Sequence, residues 1–338
     1  MRWRVSRGIL GVPRIIATSV LFTIVAAICA GWFASLMRKG AHGQRIRDYG
    51  PQLHAKKSGT PTMGGVVIVI LWGIALVVLR RDISPDSLFI SLSTLLFGGI
   101  GLLDDLLSQI RHRSLGLLPY QKIVLSVFVA LILFFSFPSL YRIPIMLPFS
   151  SVTLILPRAI FFFLLCGVFL STTNSMNLTD GLDGLATGTS IIILAGYAIL
   201  FHDQATLGTI LPLIGILVGF LWINSYPARL FLGDVGSFAL GGAIGAIALA
   251  TGTSLSLVLL AGLLVAESAS VIVQVTYFRF TGRRIFKISP FHHHFEVAQG
   301  IDYDYLLPNV EWPEPRTVMR LWIVQAILTG IGILSVYR

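Results

Sequence analysis

Polar side chains that could do chemistry lie in short stretches between apolar runs, and the central stretch contains Asp234. It reads Gly-Asp-Val-Gly-Ser at residues 233–237, between an apolar run that ends at Ile223 and another that begins near Phe238. A lone aspartate there could simply cap a helix N-terminus, or it could belong to a functional site. The other acids and histidines between apolar runs decide between these two interpretations.

Two adjacent carboxylates, Asp104 and Asp105, close the third apolar run. At a helix C-terminus their charges oppose each other and the helix dipole, so the arrangement costs stability unless a cation lies there. Two hard oxygen donors suit Mg²⁺ that bridges phosphates, or one ligand beside one general base. The basic residues that follow could hold a polyanion or anchor the loop to lipid: Arg111, Arg113 and Lys122.

Two further polar stretches could bind a substrate. Residues 56–65 combine two lysines, hydroxyl groups and a glycine pair before a helix, which could seat a phosphate or form a basic turn that sets topology. Residues 174–184 contain Asp180 and Asp183, whose spacing would place both on one face of a helical turn. Asn and Asp side chains can read the edge of a base or sugar, and Asx turns are the structural alternative.

Three consecutive histidines at 292–294 suggest a metal, but adjacent residues cannot all face one ion in a regular element. One or two of them binding a phosphate or a sugar is therefore a better interpretation than a three-histidine zinc site. Glu267 and Gln274 share a helix face in the apolar run before them. An unpaired acid near mid-span costs roughly 2.5–3.5 kcal/mol on insertion scales, so Glu267 predicts a partner inside the bundle.

The composition indicates a membrane protein. Of 338 residues, 55% are hydrophobic and 12% are charged, whereas soluble domains carry roughly 25% charged residues. The net charge of +10 would suggest nucleic acid in a soluble chain. Here basic loops that set topology and meet anionic lipid headgroups explain the charge, so no nucleic-acid partner is predicted. Cys29 and Cys166 lie inside apolar runs and imply no disulfide or metal framework.

Apolar runs of about 17–25 residues predict an all-α integral membrane protein, one polytopic membrane domain over residues 1–338 with about ten transmembrane helices. The predicted spans are 15–37, 63–79, 87–103, 121–137, 157–174, 185–201, 207–223, 237–252, 254–278 and 318–336. Odd-numbered connections carry the excess of Lys and Arg, which predicts that they face the cytoplasm. Nearly all acids lie on that side too, which favours an active site over an ion-coupled transporter with acids along a mid-span path.

Five motifs follow one another along nearly the whole chain. They are K-K-S-G-T-P-T-M-G-G, L-L-D-D, N-L-T-D-G-L-D-G-L-A, N-x-x-P-A-x-x-F-x-G-D-x-G-S and P-F-H-H-H-F-E. Together they resemble the polyprenyl-phosphate N-acetylhexosamine-1-phosphate transferases, and within them the phospho-N-acetylmuramoyl-pentapeptide-transferase (MraY) family. The T-M-G-G and H-H-H-F-E strings resemble this branch more than the relatives that use UDP-N-acetylglucosamine, which remain the alternative.

The resemblance implies a reaction and its setting. UDP-MurNAc-pentapeptide and undecaprenyl phosphate would give lipid I and UMP, with Mg²⁺ as the cofactor. The resemblance also implies ten helices, a homodimer, and a site that faces the cytoplasm from the bacterial inner membrane. Direct attack by the lipid phosphate and a phosphoryl-aspartate intermediate are both compatible with the sequence.

The resemblance also implies roles for individual residues. Asp234 matches the Mg²⁺ ligand, and Asp104 matches the acid that deprotonates the lipid phosphate, with Asp105 beside it. The histidine string that takes part in catalysis corresponds to His293 and its neighbours, His292 and His294. Positions of the nucleoside pocket and its basic loop, with Phe231 placed to stack on uracil, are Asn177, Asp180, Asp183, Asn224, Phe231, Gln274, Lys57 and Thr62.

The sequence departs from the family pattern in two places. The lysine expected three residues after Asp105 is Ser108 here. Arg111 or Arg113 could supply its charge. Residues 298–310 read as extra length before the last helix, for which the simplest interpretation is a surface elaboration.

Overall fold

The computed structural model describes residues 11–39, 59–79, 84–111, 116–201, 203–297, 304–308 and 310–337. Helices dominate this part of the chain. They are α1 (Gly11–Lys39), α2 (Gly65–Leu79), α3 (Pro85–Ile110), α4 (Pro119–Ser136), α5 (Arg158–Thr179), α6 (Leu185–Leu200), α7 (Gln204–Asn224), α8 (Gly233–Ala250), α9 (Leu257–Leu260), α10 (Gly262–Thr281) and α11 (Glu314–Val336). A short antiparallel pair, β1 (Ile145–Met146) and β2 (Thr153–Leu154), lies between α4 and α5.

The prediction of an all-α integral membrane protein is confirmed. Eight helices of the described residues are long and apolar enough to cross a membrane, and the two shorter apolar helices are α2 and α6. A helix is present at each predicted span. Large apolar side chains also cover the outside of the bundle, with Trp222 and Phe280 80% and 85% exposed. Such side chains are stable on an outer surface when lipid surrounds it.

The end of α3 lies farther along the chain than predicted. The predicted end at residue 103 is wrong, because α3 continues to Ile110, where the N–H of Arg111 still donates to the carbonyl of Leu107. Asp104 and Asp105 therefore lie inside the last turns of α3 and not at its C-terminus. Because both residues are helical, their carboxylates project from the side of α3 and reach the N–H groups of Leu117 and Val235.

Two other helix ends also place site residues in regular structure. The fifth helix was expected to end at residue 174, but it continues to Thr179, so Asn177 is helical. Helix α8 begins at Gly233, four residues earlier than predicted, which places Asp234 in its first turn. The prediction of an acid at the mouth of this helix is confirmed, and the N-terminal end of the helix dipole favours a negative charge there.

The ninth predicted span is broken at Ala261 into α9 and α10. A side chain of α11 bridges the break, since Gln325 Oε1 accepts from the N–H of Leu263 at 2.9 Å and its Nε2 donates to the carbonyl of Leu260 at 2.8 Å. The hydroxyl of Thr329 donates to the same carbonyl at 3.0 Å. These bonds satisfy backbone groups that a helix break would otherwise leave unpaired inside the bilayer.

Helix α8 forms the centre of the bundle. Every residue from Val235 to Leu249 is buried, as expected for a helix that is apolar on all sides. Its glycines bring neighbouring helices close, because a Cβ at Gly242 would lie 2.9 Å from the side chain of Phe97 in α3. The helix that carries Asp234 is therefore held on all sides by close packing.

The connections that carry the motifs meet at one end of this bundle. The N–H groups of Gly64 and Gly65 donate to the carbonyls of Phe231 and Leu232, both at 2.8 Å. The connection before α2 is thereby joined to the connection before α8. At the opposite end, the connection between α4 and α5 bonds to Gly252 and to the end of α11. Residues far apart in sequence are thus brought to one polar end.

Gly101 lies where α3 crosses the first turn of α8, because a Cβ there would collide with the backbone carbonyl of Asp234. A Cβ at Gly99, half a turn earlier on the same helix, would meet nothing within 4 Å. We expect Gly101→Ala to force the two helices apart and to lower stability by about 1–3 kcal/mol.

Gly99→Ala is the matched control, and we expect it to be neutral or slightly stabilising, by up to about 1 kcal/mol. Thermal unfolding of both variants in the same detergent measures the difference. Equal melting temperatures for Gly101→Ala and Gly99→Ala would contradict the proposed contact between α3 and α8.

Candidate active site

Three acids, two adjacent in sequence and the third 129 residues beyond the second, meet at the polar end of the bundle. One carboxylate oxygen from each of Asp104, Asp105 and Asp234 lies within 4.8 Å of the other two. Asp104 and Asp105 come from α3 and are 7% and 9% exposed, and Asp234 comes from the first turn of α8. We call these three residues the acidic cluster. Its hard oxygen donors are the ligands that Mg²⁺ prefers.

A lysine lies between two of the acids. Lys122, in the first turn of α4, places its Nζ 3.0 Å from Asp104 Oδ2 and 2.5 Å from Asp234 Oδ2. Three carboxylates and one ammonium leave two formal negative charges, which a single divalent cation would balance. Lys122 is thus part of the site and not an anchor to lipid. Its position in the first turn of an apolar helix, at the same end as the acids, was the signal for this role in the sequence.

Arg111, one of the two arginines considered as substitutes for the missing lysine, does not contact the acidic cluster among its described contacts. Arg111 follows the last residue of α3 and donates from Nη1 to the carbonyl of Gly116 at 3.2 Å. Arg113 lies outside the described residues. The ammonium that meets the acidic cluster is therefore that of Lys122, eighteen residues after Asp104.

Hydrogen bonds hold each carboxylate of the cluster in a fixed orientation. Asp104 Oδ1 accepts from the N–H of Leu117 at 2.6 Å, and Asp105 Oδ2 accepts from the N–H of Val235 at 3.1 Å. Gly233 permits the second bond, because its φ of +75° is left-handed and a Cβ there would lie 2.9 Å from Asp105 Oδ2. These bonds fix the orientation of Asp104 and Asp105 within the cluster.

Asn177 and Thr62 lie beside the acidic cluster. Asn177 Nδ2 donates to Asp234 Oδ1 at 2.7 Å and to the hydroxyl of Ser237 at 3.1 Å. Thr62 is half-buried against the Gly233 turn, where a Cβ would lie 3.0 Å from the threonine hydroxyl. The resemblance placed both residues at the nucleoside pocket, and the structure brings Asn177 into direct contact with the metal-ligand candidate. Lys57 lies outside the described residues.

The prediction that Asp180 and Asp183 share a helical turn is wrong. Helix α5 ends at Thr179, and the connection to α6 is a turn in which Gly184 has a φ of +78°. Asp183 is buried, and its Oδ2 accepts from the N–H of Ala228 at 2.9 Å. Its own N–H donates to Glu314 Oε1 at 2.8 Å. Asp183 thus ties the α5–α6 connection to the α7–α8 connection and to the first turn of α11, while Asp180 is half-buried at the end of α5.

Asn224 and Phe231 lie near the two ends of the connection between α7 and α8. Asn224 is buried and uses both ends of its amide, since Oδ1 accepts from the hydroxyl of Thr187 at 2.8 Å and Nδ2 donates to the carbonyl of Leu230 at 3.0 Å. Phe231 is half-buried, and its N–H donates to the carbonyl of Pro61 at 2.8 Å. Asn224 therefore shapes the connection on which Phe231 is presented.

Glu267 and Gln274 share the buried face of α10, as predicted. Gln274 Oε1 accepts from the N–H groups of Ile285 and Phe286, both at 3.0 Å, and so fixes the chain as it leaves α10. Glu267 is fully buried, and its partner is His292. The partner that the sequence required for this acid thus comes from the histidine string.

The histidine string forms a single 3₁₀ segment, Phe291–Phe295, in which the His292 and His293 ring centroids lie 4.0 Å apart at an interplanar angle of 54°. His292 and His294 are 0% and 3% exposed, whereas the side chain of His293 is 19% exposed. The geometry agrees with the argument that three adjacent histidines cannot share one ion. The Nδ1 atoms face three different groups. His292 Nδ1 lies 3.1 Å from Glu267 Oε2, His293 Nδ1 hydrogen-bonds to Glu296 Oε2 at 2.7 Å, and His294 Nδ1 accepts from the N–H of Lys287 at 3.1 Å.

The described part of the extra segment contacts the loop that carries the histidine string, and the ring centroids of Tyr305 and His294 lie 6.0 Å apart. The N–H groups of Leu306 and Leu307 donate to the carbonyls of Arg284 and Ile285 at 3.0 and 2.9 Å. Farther on, the Trp312 ring stacks on the Phe295 ring with 4.5 Å between centroids. The interpretation as a surface elaboration is therefore incomplete, because this segment also braces the loop that carries the histidines.

The fold and the site together define a class of protein. It is an α-helical membrane protein with a cluster of acids and a lysine at one end of its bundle. Residues 87–252 match the family model described as Glycosyl transferase family 4. Residues 57–69 match the model described as Phospho-N-acetylmuramoyl-pentapeptide-transferase signature 1.

Curated proteins named phospho-N-acetylmuramoyl-pentapeptide-transferase are similar along almost the whole chain. The protein of Clostridium acetobutylicum is 36% identical over 325 residues, 95% of this chain and 99% of that protein. The protein of Bacillus subtilis (strain 168) is 37% identical over 327 residues, 93% of this chain and 97% of that protein. The chain belongs to the phospho-N-acetylmuramoyl-pentapeptide-transferase family, and it is a multi-pass membrane protein of bacteria.

Burial lowers the pKa of His294 from its usual value of 6.5; a hydrogen bond with the backbone of Pro308 opposes this, and the charge of Lys287 reinforces it. The unfolded chain therefore takes up a proton below about pH 6.5 that the folded protein resists. The folded protein therefore has the full stabilisation from neutral His294 above about pH 6.5, and it loses this stabilisation as the pH falls below that value.

We expect His294→Asn, which retains a hydrogen-bond acceptor near the Nδ1 position but does not titrate, to show a shallower fall in stability between about pH 7 and pH 5. The slope of stability against pH should therefore be smaller in the variant than in the unaltered protein. Melting temperatures across this pH range measure it. Parallel curves for the two proteins would contradict the assignment to His294.

Proposed function

We propose that this protein transfers phospho-MurNAc-pentapeptide from UDP-MurNAc-pentapeptide to undecaprenyl phosphate, giving lipid I and UMP in peptidoglycan synthesis. The name of the curated relatives supports this reaction. The observation that supports particular residues for this reaction is the acidic cluster with Lys122 beside it. Both substrates are phosphate anions, so a site for their reaction has to supply positive charge between them.

Mg²⁺ fits the donor set of the acidic cluster. Asp234 is the principal ligand in this proposal, with Asp104 and Asp105 close enough to share the ion. The two formal negative charges that remain beside Lys122 agree with a divalent cation. When bound, Mg²⁺ would neutralise the diphosphate and polarise the bond that is broken as UMP leaves.

The side chains of the chain itself carry the remaining steps. Asp104 takes the proton from the lipid phosphate, which makes that phosphate the better nucleophile. Lys122 attracts the phosphate groups and moderates the repulsion between them and the carboxylates. Asp105 helps to hold Asp234 in register through its bond to the first turn of α8. His293, the most exposed of the three histidines, is the one available to contact substrate.

The nucleotide lies on the connections that surround the acidic cluster. Phe231 stacks on uracil, and Asp180 contacts the nucleoside, with Lys57 and Thr62 on the adjoining loop. Asp183, Asn224 and Gln274 act by shaping those connections, since their polar groups already bond to backbone or to neighbouring side chains. His292 and His294 are buried and support the same surface.

The setting is the bacterial inner membrane, with the site facing the cytoplasm, where the nucleotide substrate is found. The excess of Lys and Arg on the odd-numbered connections supports this orientation. In this proposal each subunit is a single polytopic domain, and two subunits form a homodimer. A transferase that uses UDP-N-acetylglucosamine is less well supported, because the curated relatives are named for the muramoyl-pentapeptide. An ion-coupled transporter does not require acids gathered at one end of the bundle.

Asp234→Asn should reduce turnover by about 100-fold or more, since even partners of a metal ligand contribute 10–100-fold. The protein should still fold, because asparagine preserves the shape of the side chain. Asp203→Asn is the matched control. Asp203 caps α7 through a 2.9 Å bond from the N–H of Thr206, and asparagine caps equally well. Near-normal UMP release by Asp234→Asn at ordinary Mg²⁺ concentrations would remove Asp234 from its proposed role.

The substrate and the metal are tested together with purified protein in lipid. We expect UMP to be released only when undecaprenyl phosphate, Mg²⁺ and UDP-MurNAc-pentapeptide are all present. EDTA should abolish release, and added Mg²⁺ should restore it. Release from UDP-N-acetylglucosamine instead would identify the alternative transferase. No release from either sugar nucleotide, with transport of an ion in its place, would overturn the proposed reaction.

A further inference from the structure

Glu267 is a fully buried carboxylate inside a membrane helix, and the reaction proposed above gives it no role. Among the described residues, its ion-pair partner is His292, which is also 0% exposed. Neither Lys nor Arg pairs with it in that part of the chain. A buried acid in a transmembrane segment is costly and usually serves function, so a purely packing role would be better filled by an apolar residue.

The contacts of Glu267 all concern the start of the histidine string. Its Oε2 lies 3.1 Å from His292 Nδ1 and accepts from the backbone N–H of the same residue at 3.3 Å. Oε2 thus hydrogen-bonds to the chain and lies within ion-pair distance of the ring, while neither ring nitrogen of His292 has a hydrogen-bond partner among the described residues. The other oxygen, Oε1, has no hydrogen-bond partner among the described residues. The carboxylate is therefore directed at His292 and not built into a wider polar network.

The opposite side of the His292 ring supports the connection between α5 and α6. A Cβ at Gly181 would collide with His292 Nε2, so the imidazole fills the space that this glycine leaves. Gly181 follows Asp180, and two residues later Asp183 binds the connection to α8. The position of the His292 ring thus decides where the backbone of this connection lies.

We propose that Glu267 is a positioning residue for the nucleotide substrate, acting through His292. It holds the ring with Nδ1 towards α10 and Nε2 against Gly181, which keeps the α5–α6 connection in the shape that binds the nucleotide. The role rests on the proposed function. It also predicts a kinetic effect confined to one substrate, because the lipid phosphate does not depend on this connection.

Kinetics of Glu267→Leu provide the first test. Leucine is stable in a membrane helix, so the variant should fold, and its melting temperature checks this. We expect the KM for UDP-MurNAc-pentapeptide to rise roughly tenfold, as the loss of one charged hydrogen bond would cause. The KM for undecaprenyl phosphate should not change. Glu267→Gln retains an acceptor for the His292 backbone N–H beside the ring and should recover most of the affinity.

Ser268→Ala is the matched control on the next residue of α10. The Ser268 hydroxyl bonds to that of Ser175 in α5 at 2.6 Å, so the variant loses a contact between helices without touching the histidine string. Both KM values should be unchanged. Equal rises in both KM values for Glu267→Leu, or the same change in Ser268→Ala, would reduce Glu267 to a structural residue and overturn the proposal.

A double-mutant cycle tests whether Glu267 acts through His292. In a His292→Ala background, Glu267→Leu should cause no further rise in the KM for the nucleotide, because the group it positions is absent. Fully additive effects would show that Glu267 acts by another route.

Nitrogen-15 NMR of the histidine rings in lipid gives a readout that requires no turnover. His292, assigned by the signal lost in His292→Ala, should carry its proton on Nδ1, and Glu267→Leu should move that proton to Nε2. An unchanged tautomer would overturn the proposal even if the KM rises. A protein with the expected tautomer that releases no UMP from any UDP-sugar would instead overturn the proposed function, and the positioning role with it.

Discussion

Repulsion among three carboxylates is the constraint on which the rest of this structure depends. Asp104, Asp105 and Asp234 meet within 4.8 Å at the edge of a membrane bundle, where water screens charge less than in bulk solution. The Lys122 ammonium, backbone N–H groups and the Asn177 amide compensate part of this charge. The charge that remains is what makes the end of the bundle able to attract a divalent cation.

The helices hold the acids together against this repulsion because their backbones cross at very short distances. Glycines at the crossings of α8 with α2 and α3 leave no room for a Cβ. The first turn of α8 can therefore lie directly against α3, where Asp105 accepts its N–H. Close packing of the apolar helices and orientation of the acids are thus one structural feature, because the same crossings determine both.

The surrounding connections use their polar side chains largely to hold one another. Asp183, Asn224 and Gln274 each bond to groups of another connection or helix, and Glu267 reaches from α10 to the histidine string. The extra segment braces that string from the other side. The connections at this end of the bundle are therefore held in place by one another and by the helices beside them.

The sequence by itself determined the membrane class, the place of each helix and the identity of the acids, since apolar run length and residue type are local properties. The motifs also indicated the family. Only the tertiary structure decided that Lys122 meets the acids, that His292 pairs with Glu267, and that α3 continues beyond Asp105. These outcomes depend on which helices cross and how closely, and a crossing is set by side-chain shape between distant segments. Local sequence patterns do not contain this information.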